Sequence, residues 1–147
     1  MIEIIKIVVL MCVLAAAYID VKQREVPNVL SFIIALLGLA RAIAQHNVIN
    51  ALLTALIVLI LLLLSLKIVH NGLGFGDIKL LSALGIYAAF PNILNIFLFT
   101  FVFFALSAIA AVLFNRARRG SFKGAALPVV PFVAAALILM EIGVTIV

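Results

Sequence analysis

Charged residues are scarce in this chain. Asp, Glu, Lys and Arg make up 10% of its 147 residues, whereas 69% are hydrophobic. A soluble globular domain carries about 25% charged residues, and about half of its residues are apolar. The composition therefore excludes an ordinary soluble domain and predicts an integral membrane protein, so the lipid bilayer is its first expected partner.

Cysteine and acidic residues are also few. Cys12 is the single cysteine, which excludes an intramolecular disulfide and a Cys-x-x-Cys metal site. The 5 acids and 2 histidines are too scattered to form a ligand cluster, so we expect neither a metal nor an organic cofactor. The 10 Lys and Arg residues form no stripe mixed with aromatic residues, so we expect no nucleic-acid partner.

Apolar runs divide the chain into six segments. A transmembrane helix needs about 20 largely apolar residues, each adding about 1.5 Å along the axis. The candidate segments are 2–19, 29–44, 48–69, 78–90, 93–114 and 125–146. We therefore expect an all-α, polytopic bundle of about six transmembrane helices that forms a single domain over residues 1–147.

The basic residues predict the orientation of this bundle, because short loops rich in Lys and Arg stay in the cytoplasm. If the loops alternate between the two sides, one side holds only Lys6 and Arg41. The other side holds Lys22, Arg24, Lys67, Lys79, Arg116, Arg118, Arg119 and Lys123. Both termini are therefore expected outside, with loops 20–28, 67–79 and 115–124 in the cytoplasm of a multi-pass plasma (inner) membrane protein.

The fourth segment is too short to cross a bilayer alone, and glycines precede it in the stretch NGLGFGDIKL, residues 71–80. Non-helical backbone at membrane depth is tolerated only where protein or a water-filled cavity satisfies its polar groups. The stretch therefore indicates a cavity, although a flexible linker between helices is an open alternative. It lacks the Lys and Ser or Thr of a P-loop and the spacing of a dinucleotide fingerprint.

Two aspartates, Asp20 and Asp77, lie where predicted cytoplasmic loops meet apolar helices. Either one alone is explained as a helix-end residue in the headgroup layer, but their matched depth favours a shared site. Two carboxylates within hydrogen-bond reach share one proton. Such a pair can activate a water and protonate a peptide carbonyl in the same reaction. Glu141 lies near the outer interface, where we expect a structural role.

The order of these motifs resembles the type IV prepilin peptidases, which are polytopic aspartic proteases with a GxGD motif. The match consists of GFGD at residues 74–77 with Ile78 and Lys79 after it, and of DVKQREVPN at residues 20–28. The later segment LPVVPFVAAAL, residues 127–137, is similar to the family's Pro-Phe-Gly-Pro-Phe, with Val129 and Val130 in place of Phe-Gly.

The resemblance implies that Asp20 and Asp77 form the catalytic pair of an aspartic endopeptidase at the cytoplasmic face. The residues expected to support them are Gly74, Gly76, Lys79, Pro27 and Asn28. Gly74 and Gly76 would shape the loop, and Lys79 would support the site or bind lipid phosphate. Pro27 fits the first turn of a helix, and Asn28 fits a local capping hydrogen bond.

The implied substrate is a prepilin or prepseudopilin whose apolar N-terminal helix lies in the bilayer. The family's larger members carry methyltransferase activity together with a cytoplasmic domain that usually contains four cysteines. Because this chain has a single cysteine, we expect no methyltransferase activity. The alternative function is a small proton-coupled transporter or membrane adaptor that uses the same acids. A carrier would place its acids near the middle of the membrane, whereas these cluster on one predicted face.

Overall fold

The computed structural model of the chain describes residues 2–23, 25–68, 74–117 and 128–143. These ranges contain six α-helices and no strand. The helices are α1 (Ile2–Gln23), α2 (Asn28–Ala44), α3 (Val48–Ile68), α4 (Phe75–Ala88), α5 (Asn92–Ala117) and α6 (Val130–Glu141). The prediction of an all-α fold with six helices is confirmed.

Two of these helices are long and apolar enough to cross a membrane. They are α1 and the portion Val48–Ser65 of α3, while Asn28–Ala44, Asn92–Ser107 and Val130–Glu141 are shorter apolar helices. Along α3 the residues buried inside the bundle include the small Ala51 and Thr54, whereas Leu53, Ile57 and Leu61 are exposed. A helix face with large exposed apolar side chains suits contact with lipid. The six-span arrangement and the orientation of the termini remain predictions.

Helix α4 lies against both α2 and α3, and glycines bring the three backbones together. A Cβ atom on Gly38 of α2 would lie 2.8 Å from the backbone nitrogen of Tyr87 in α4. A Cβ atom on Gly85 of α4 would lie 3.0 Å from the Cα atom of Ala55 in α3. No larger residue fits at these contacts without a shift of the backbone, so the glycines set the spacing of the helices.

The direction of each helix follows from contacts at its two ends. Lys6 near the start of α1 pairs with Glu141 at the end of α6, and Asp20 near the end of α1 bonds to Val130 at the start of α6. Helix α1 is thus antiparallel to α6. The bundle has an aspartate end, which contains Asp20 and Asp77, and an opposite end, which contains Lys6 and Glu141. Along α1 these ends are separated by about 20 Å, because each helical residue adds about 1.5 Å.

Two helix boundaries differ from the sequence expectation at the candidate site. Helix α1 continues to Gln23, so Asp20 lies inside its last turns rather than at its end. Helix α4 begins at Phe75, so Asp77 lies in its first turn. Both aspartates are therefore held by regular helical backbone. Gly72, which belongs to the same glycine-rich stretch, lies outside the described residues.

Candidate active site

Asp20 is buried near the end of α1, with 6% of its surface exposed. Its Oδ2 atom accepts a hydrogen bond of 3.2 Å from the backbone N–H of Val130, the first residue of α6. The N–H groups in the first turn of a helix have no partner within the helix. The carboxylate of Asp20 satisfies one of them, and the positive end of the α6 dipole favours its negative charge.

Asp77 is half-buried in the first turn of α4. Its Oδ2 atom accepts a hydrogen bond of 3.2 Å from the backbone N–H of Gly74, which is the N-cap residue of α4. An acidic side chain that reaches back to the N-cap in this way forms one half of a capping box. The contact fixes the side chain of Asp77 against the residue that begins its own helix.

Both aspartates line one cavity of about 310 Å³ at this end of the bundle. Burial, and after it the nearby charge of Asp20, raises the pKa of the Asp77 carboxyl group above its usual value. Since a water molecule occupies about 30 Å³ in the liquid, the cavity has room for several waters or for a short stretch of extended peptide. The structure thus brings together two residues that are 57 positions apart in the sequence.

Four of the five predicted supporting residues line the same cavity: Gly74, Gly76, Lys79 and Asn28. The Nζ atom of Lys79 donates a hydrogen bond of 3.0 Å to Oδ1 of Asn28. The expectation of a local capping bond for Asn28 is therefore wrong, because its side chain bonds to a different helix. Pro27 precedes α2 as its N-cap residue instead of lying in its first turn, and its carbonyl accepts the N–H of Leu30.

The two glycines contribute differently to the cavity wall. A Cβ atom on Gly76 would lie 2.9 Å from the Cβ atom of Val26, so this position has no room for a side chain. A Cβ atom on Gly74 would meet only the Oδ2 atom of Asp77 at 3.4 Å, which is an ordinary contact. Gly76 is thus needed for the close approach of the segment before α2, whereas Gly74 acts through its N–H.

Neither aspartate is neutralised by a cation within the described ranges. The ion pairs there join Lys6 to Glu3, Lys6 to Glu141 and Arg41 to Glu141. Two carboxylates that face one cavity without a paired cation cannot easily both be ionised. A pair of carboxyl groups placed in this way can supply one proton acceptor and one proton donor, the two roles that aspartic proteases use.

Glu141 belongs to a separate group at the opposite end. Its Oε1 atom accepts a hydrogen bond of 2.5 Å from the hydroxyl of Tyr87 and lies 3.9 Å from Nη1 of Arg41. Its Oε2 atom lies 3.6 Å from Nζ of Lys6. The guanidinium of Arg41 also stacks over the ring of Tyr87, 4.5 Å from its centroid. These contacts join α1, α2, α4 and α6, in agreement with the structural role expected for Glu141.

Four features of the cavity were not predicted. Glu25, Val26 and Phe75 line it, and the backbone of Val130 bonds to Asp20. Glu25, Val26 and Phe75 lie within the DVKQREVPN and GFGD motifs. This position in the sequence was the signal that could have identified them as cavity residues. The Val130 contact has no such signal, because a backbone N–H is present at every residue except proline.

Comparison with family models matched residues 7–109 to the type IV leader peptidase family. The matched range includes both aspartates and the glycines before Asp77. Comparison with curated proteins and with solved structures gave no significant match. Because the family model covers more than half of the chain, the protein belongs to the type IV leader peptidase family.

Proposed function

We propose that the protein is a membrane aspartic endopeptidase that cleaves the leader peptide of type IV prepilins or pilin-like proteins. Family membership implies a peptidase with a prepilin-type substrate. The observation that carries the aspartic mechanism is the placement of Asp20 and Asp77 on one cavity without a paired cation among the described side chains.

In the proposed reaction, a water molecule lies between the two carboxyl groups. The ionised carboxylate accepts a proton from the water, whose oxygen bonds to the carbon of the scissile peptide carbonyl. The protonated carboxyl group donates its proton to the carbonyl oxygen, which gives a neutral tetrahedral diol. The carbon–nitrogen bond then breaks as a proton moves to the nitrogen, and the products are a free carboxyl group and a free amino group.

The two aspartates act as one unit with one shared proton, so the acid and base roles belong to the pair. The hydrogen bonds from Val130 and Gly74 keep each carboxyl group oriented when its charge changes. Neither bond requires a charged partner, which leaves the shared proton available for transfer.

The position of the pair suits a substrate that crosses from membrane to water. Asp20 and Asp77 lie near helix termini at one end of the bundle, not at its middle. With the predicted orientation this end faces the cytoplasm, where a short basic leader would lie while the following apolar helix stays in the bilayer. Cleavage then falls at the boundary between the two parts.

The test is processing of a co-expressed pilin-like precursor by membranes that contain the wild type, Asp20→Asn or Asp77→Asn. Glu3→Gln is the matched control, because the side chain of Glu3 is an exposed acid at the opposite end. We expect cleavage by the wild type and by the control, and none by the two aspartate variants at equal membrane levels.

Normal processing by both aspartate variants would reject the proposed pair. If no precursor is processed and reconstituted vesicles show a proton flux that depends on Asp77, the transporter alternative replaces the peptidase.

A further inference from the structure

A second and larger cavity, of about 600 Å³, lies between α2, α3 and α4. Each helix contributes four residues at positions i, i+3, i+4 and i+7, which begin with Asn28 on α2, Leu52 on α3 and Lys79 on α4. Residues with this spacing form one face of a helix over two turns, a length of about 10 Å. We call this feature the three-helix groove.

The groove exists because α4 contacts both α2 and α3 closely, whereas α2 and α3 make few contacts with each other. At the end away from the aspartates, the side-chain amide of Asn50 donates to the carbonyl of Phe90 at 3.0 Å. The N–H of Phe90 donates to Oγ1 of Thr54 at 3.1 Å. These bonds attach α3 to the segment that follows α4. They fix the position of α3, so the space between α2, α3 and α4 stays open.

The groove adjoins the aspartate cavity. Asn28 and Lys79 line both, and the hydrogen bond between their side chains lies at the junction. Beyond this pair the groove wall is almost entirely apolar, with Phe32 and Leu56 among its exposed side chains. A charged leader peptide has no partner there, whereas an apolar helix does.

One polar group in the groove lacks a partner. The side chain of Ser31 is 6% exposed, and its Oγ atom has no hydrogen-bond partner within the described part of the chain. The other serine of the groove, Ser82, is satisfied by the carbonyl of Ile78 at 2.8 Å. The hydroxyl of Ser31 is buried beneath the surface of the groove, so it does not make the accessible wall polar.

We infer that the three-helix groove binds the apolar helix of the substrate, next to the bond that is cleaved. This inference rests on the proposed peptidase function and assigns the surface that positions its substrate. An apolar helix presents side chains at i, i+3, i+4 and i+7 to such a groove. The chain then passes Asn28 and Lys79, where it leaves the apolar wall and reaches the carboxyl groups in an extended form.

The first test is photocrosslinking in the Asp77→Asn background, which keeps the precursor uncleaved. The crosslinking residue p-benzoylphenylalanine replaces Leu56 in the groove or, as a control, Leu61. Leu61 is equally exposed, at 60% against 52%, and lies about 140° around the same helix. We expect crosslinks to a pilin-like precursor from position 56 and background levels from position 61.

The second test fills the groove. Ala35→Phe places a ring in the groove, whereas Ala40→Phe adds the same ring on an exposed position of α2 outside it. We expect Ala35→Phe to lower precursor cleavage about tenfold, equivalent to about 1.4 kcal/mol of lost binding. Ala40→Phe should cleave at the wild-type rate. A soluble peptide that lacks the apolar helix does not use the groove. Both variants should therefore cleave such a peptide at the same rate.

Failure of the groove and failure of the peptidase give different results. If the wild type cleaves the precursor while Ala35→Phe is fully active, or if position 56 crosslinks only to lipid or to a second copy of the protein, the groove assignment is overturned and the peptidase stands. If the wild type cleaves no pilin-like precursor, the proposed function falls, and the substrate groove falls with it.

Discussion

At the opposite end of the bundle Glu141 lies between Lys6 and Arg41, whereas at the aspartate end Asp20 and Asp77 share a cavity without a cation paired to either among the described residues. Both ends contain ionisable side chains in a chain with 10% charged residues. They differ in how the charge is compensated.

This difference is the one expected between a structural group and the proposed catalytic pair. A buried charge costs several kcal/mol unless an opposite charge and hydrogen bonds compensate it. The Glu141 group is compensated by two cations and by the Tyr87 hydroxyl, so it joins four helices at little electrostatic cost. The aspartates receive only neutral N–H donors, which orient the carboxyl groups without compensating a charge on them.

The largest expected effect is on activity at the aspartate end. Asp20→Asn should reduce cleavage by about 10²–10⁴-fold, the range typical of a lost acid–base group. Its unfolding temperature in detergent should equal or exceed that of the wild type, because a neutral amide replaces a buried carboxyl group that has no paired cation among the described residues, and the amide oxygen can still accept the Val130 N–H. A large loss of stability would show that Asp20 mainly holds the helices together.

Glu141→Ala should lower stability and leave cleavage nearly unchanged. It leaves Lys6 and Arg41 without their shared partner, and Arg41 is only 12% exposed at its side chain. We expect a loss of about 3 kcal/mol in the free energy of unfolding, as for other broken buried pairs. Denaturant unfolding in detergent measures this loss, with the exposed Glu3→Ala as the matched control. Cleavage per folded molecule should stay near the wild-type level, and a selective loss of cleavage would contradict the structural assignment.

Gly76→Ala tests how closely the aspartate end is packed. The added methyl group would overlap Val26, at a cost of about 1–3 kcal/mol. The better helix propensity of alanine returns about 1 kcal/mol, so the net change should be destabilising. Cleavage should also fall, since Val26 and Gly76 both line the cavity. These effects are measured by unfolding and by precursor processing.

Two further variants control the Gly76 experiment. Val26→Gly combined with Gly76→Ala should recover part of the lost stability, because the Cβ atom of Val26 that the new methyl group would meet at 2.9 Å is removed. Gly74→Ala should change stability by no more than about 1 kcal/mol, the scale of an N-cap substitution. If Gly74→Ala is as harmful as Gly76→Ala, close packing is not the reason for the glycines.

The smallest effect is expected for Lys6→Gln. The side chain of Lys6 is 29% exposed, and its Nζ atom lies 3.6 Å from Glu141, which keeps Arg41 as a second partner. We expect a loss of at most about 1 kcal/mol, as for a partly exposed ion pair. The unfolding free energy at low and high salt checks this, because salt should reduce the difference. An effect as large as that of Glu141→Ala would mean that Lys6, not Arg41, is the main partner.

Much of the helical architecture was predictable because it depends on local composition. Apolar runs interrupted by Pro, Gly and charged residues predicted six helices, and the structure has six within its described ranges. The family was recognised from Asp20, GFGD at residues 74–77 and VPN at residues 26–28, and the family match confirmed it. Helix ends were less accurate, because α1 continues past Asp20 for a further turn that the charged residues did not suggest.

The pairing of side chains was not predictable in the same way. Asn28 and Lys79 were each expected to contribute to the site, but nothing local indicates that they bond to each other. The groove needs four residues from each of three helices, and its shape depends on how closely Gly38 and Gly85 allow the backbones to approach. Such contacts depend on the packing of whole helices.

The sequence by itself determined the helices, the apolar character of the chain and the two aspartates, because each of these is a property of neighbouring residues. Only the tertiary structure decided that Asp20 and Asp77 line one cavity, that Glu141 is neutralised at the opposite end and that an apolar groove adjoins the aspartate cavity. The physical reason is that side chains far apart in the sequence meet only when helix packing has fixed the distance and rotation of every helix.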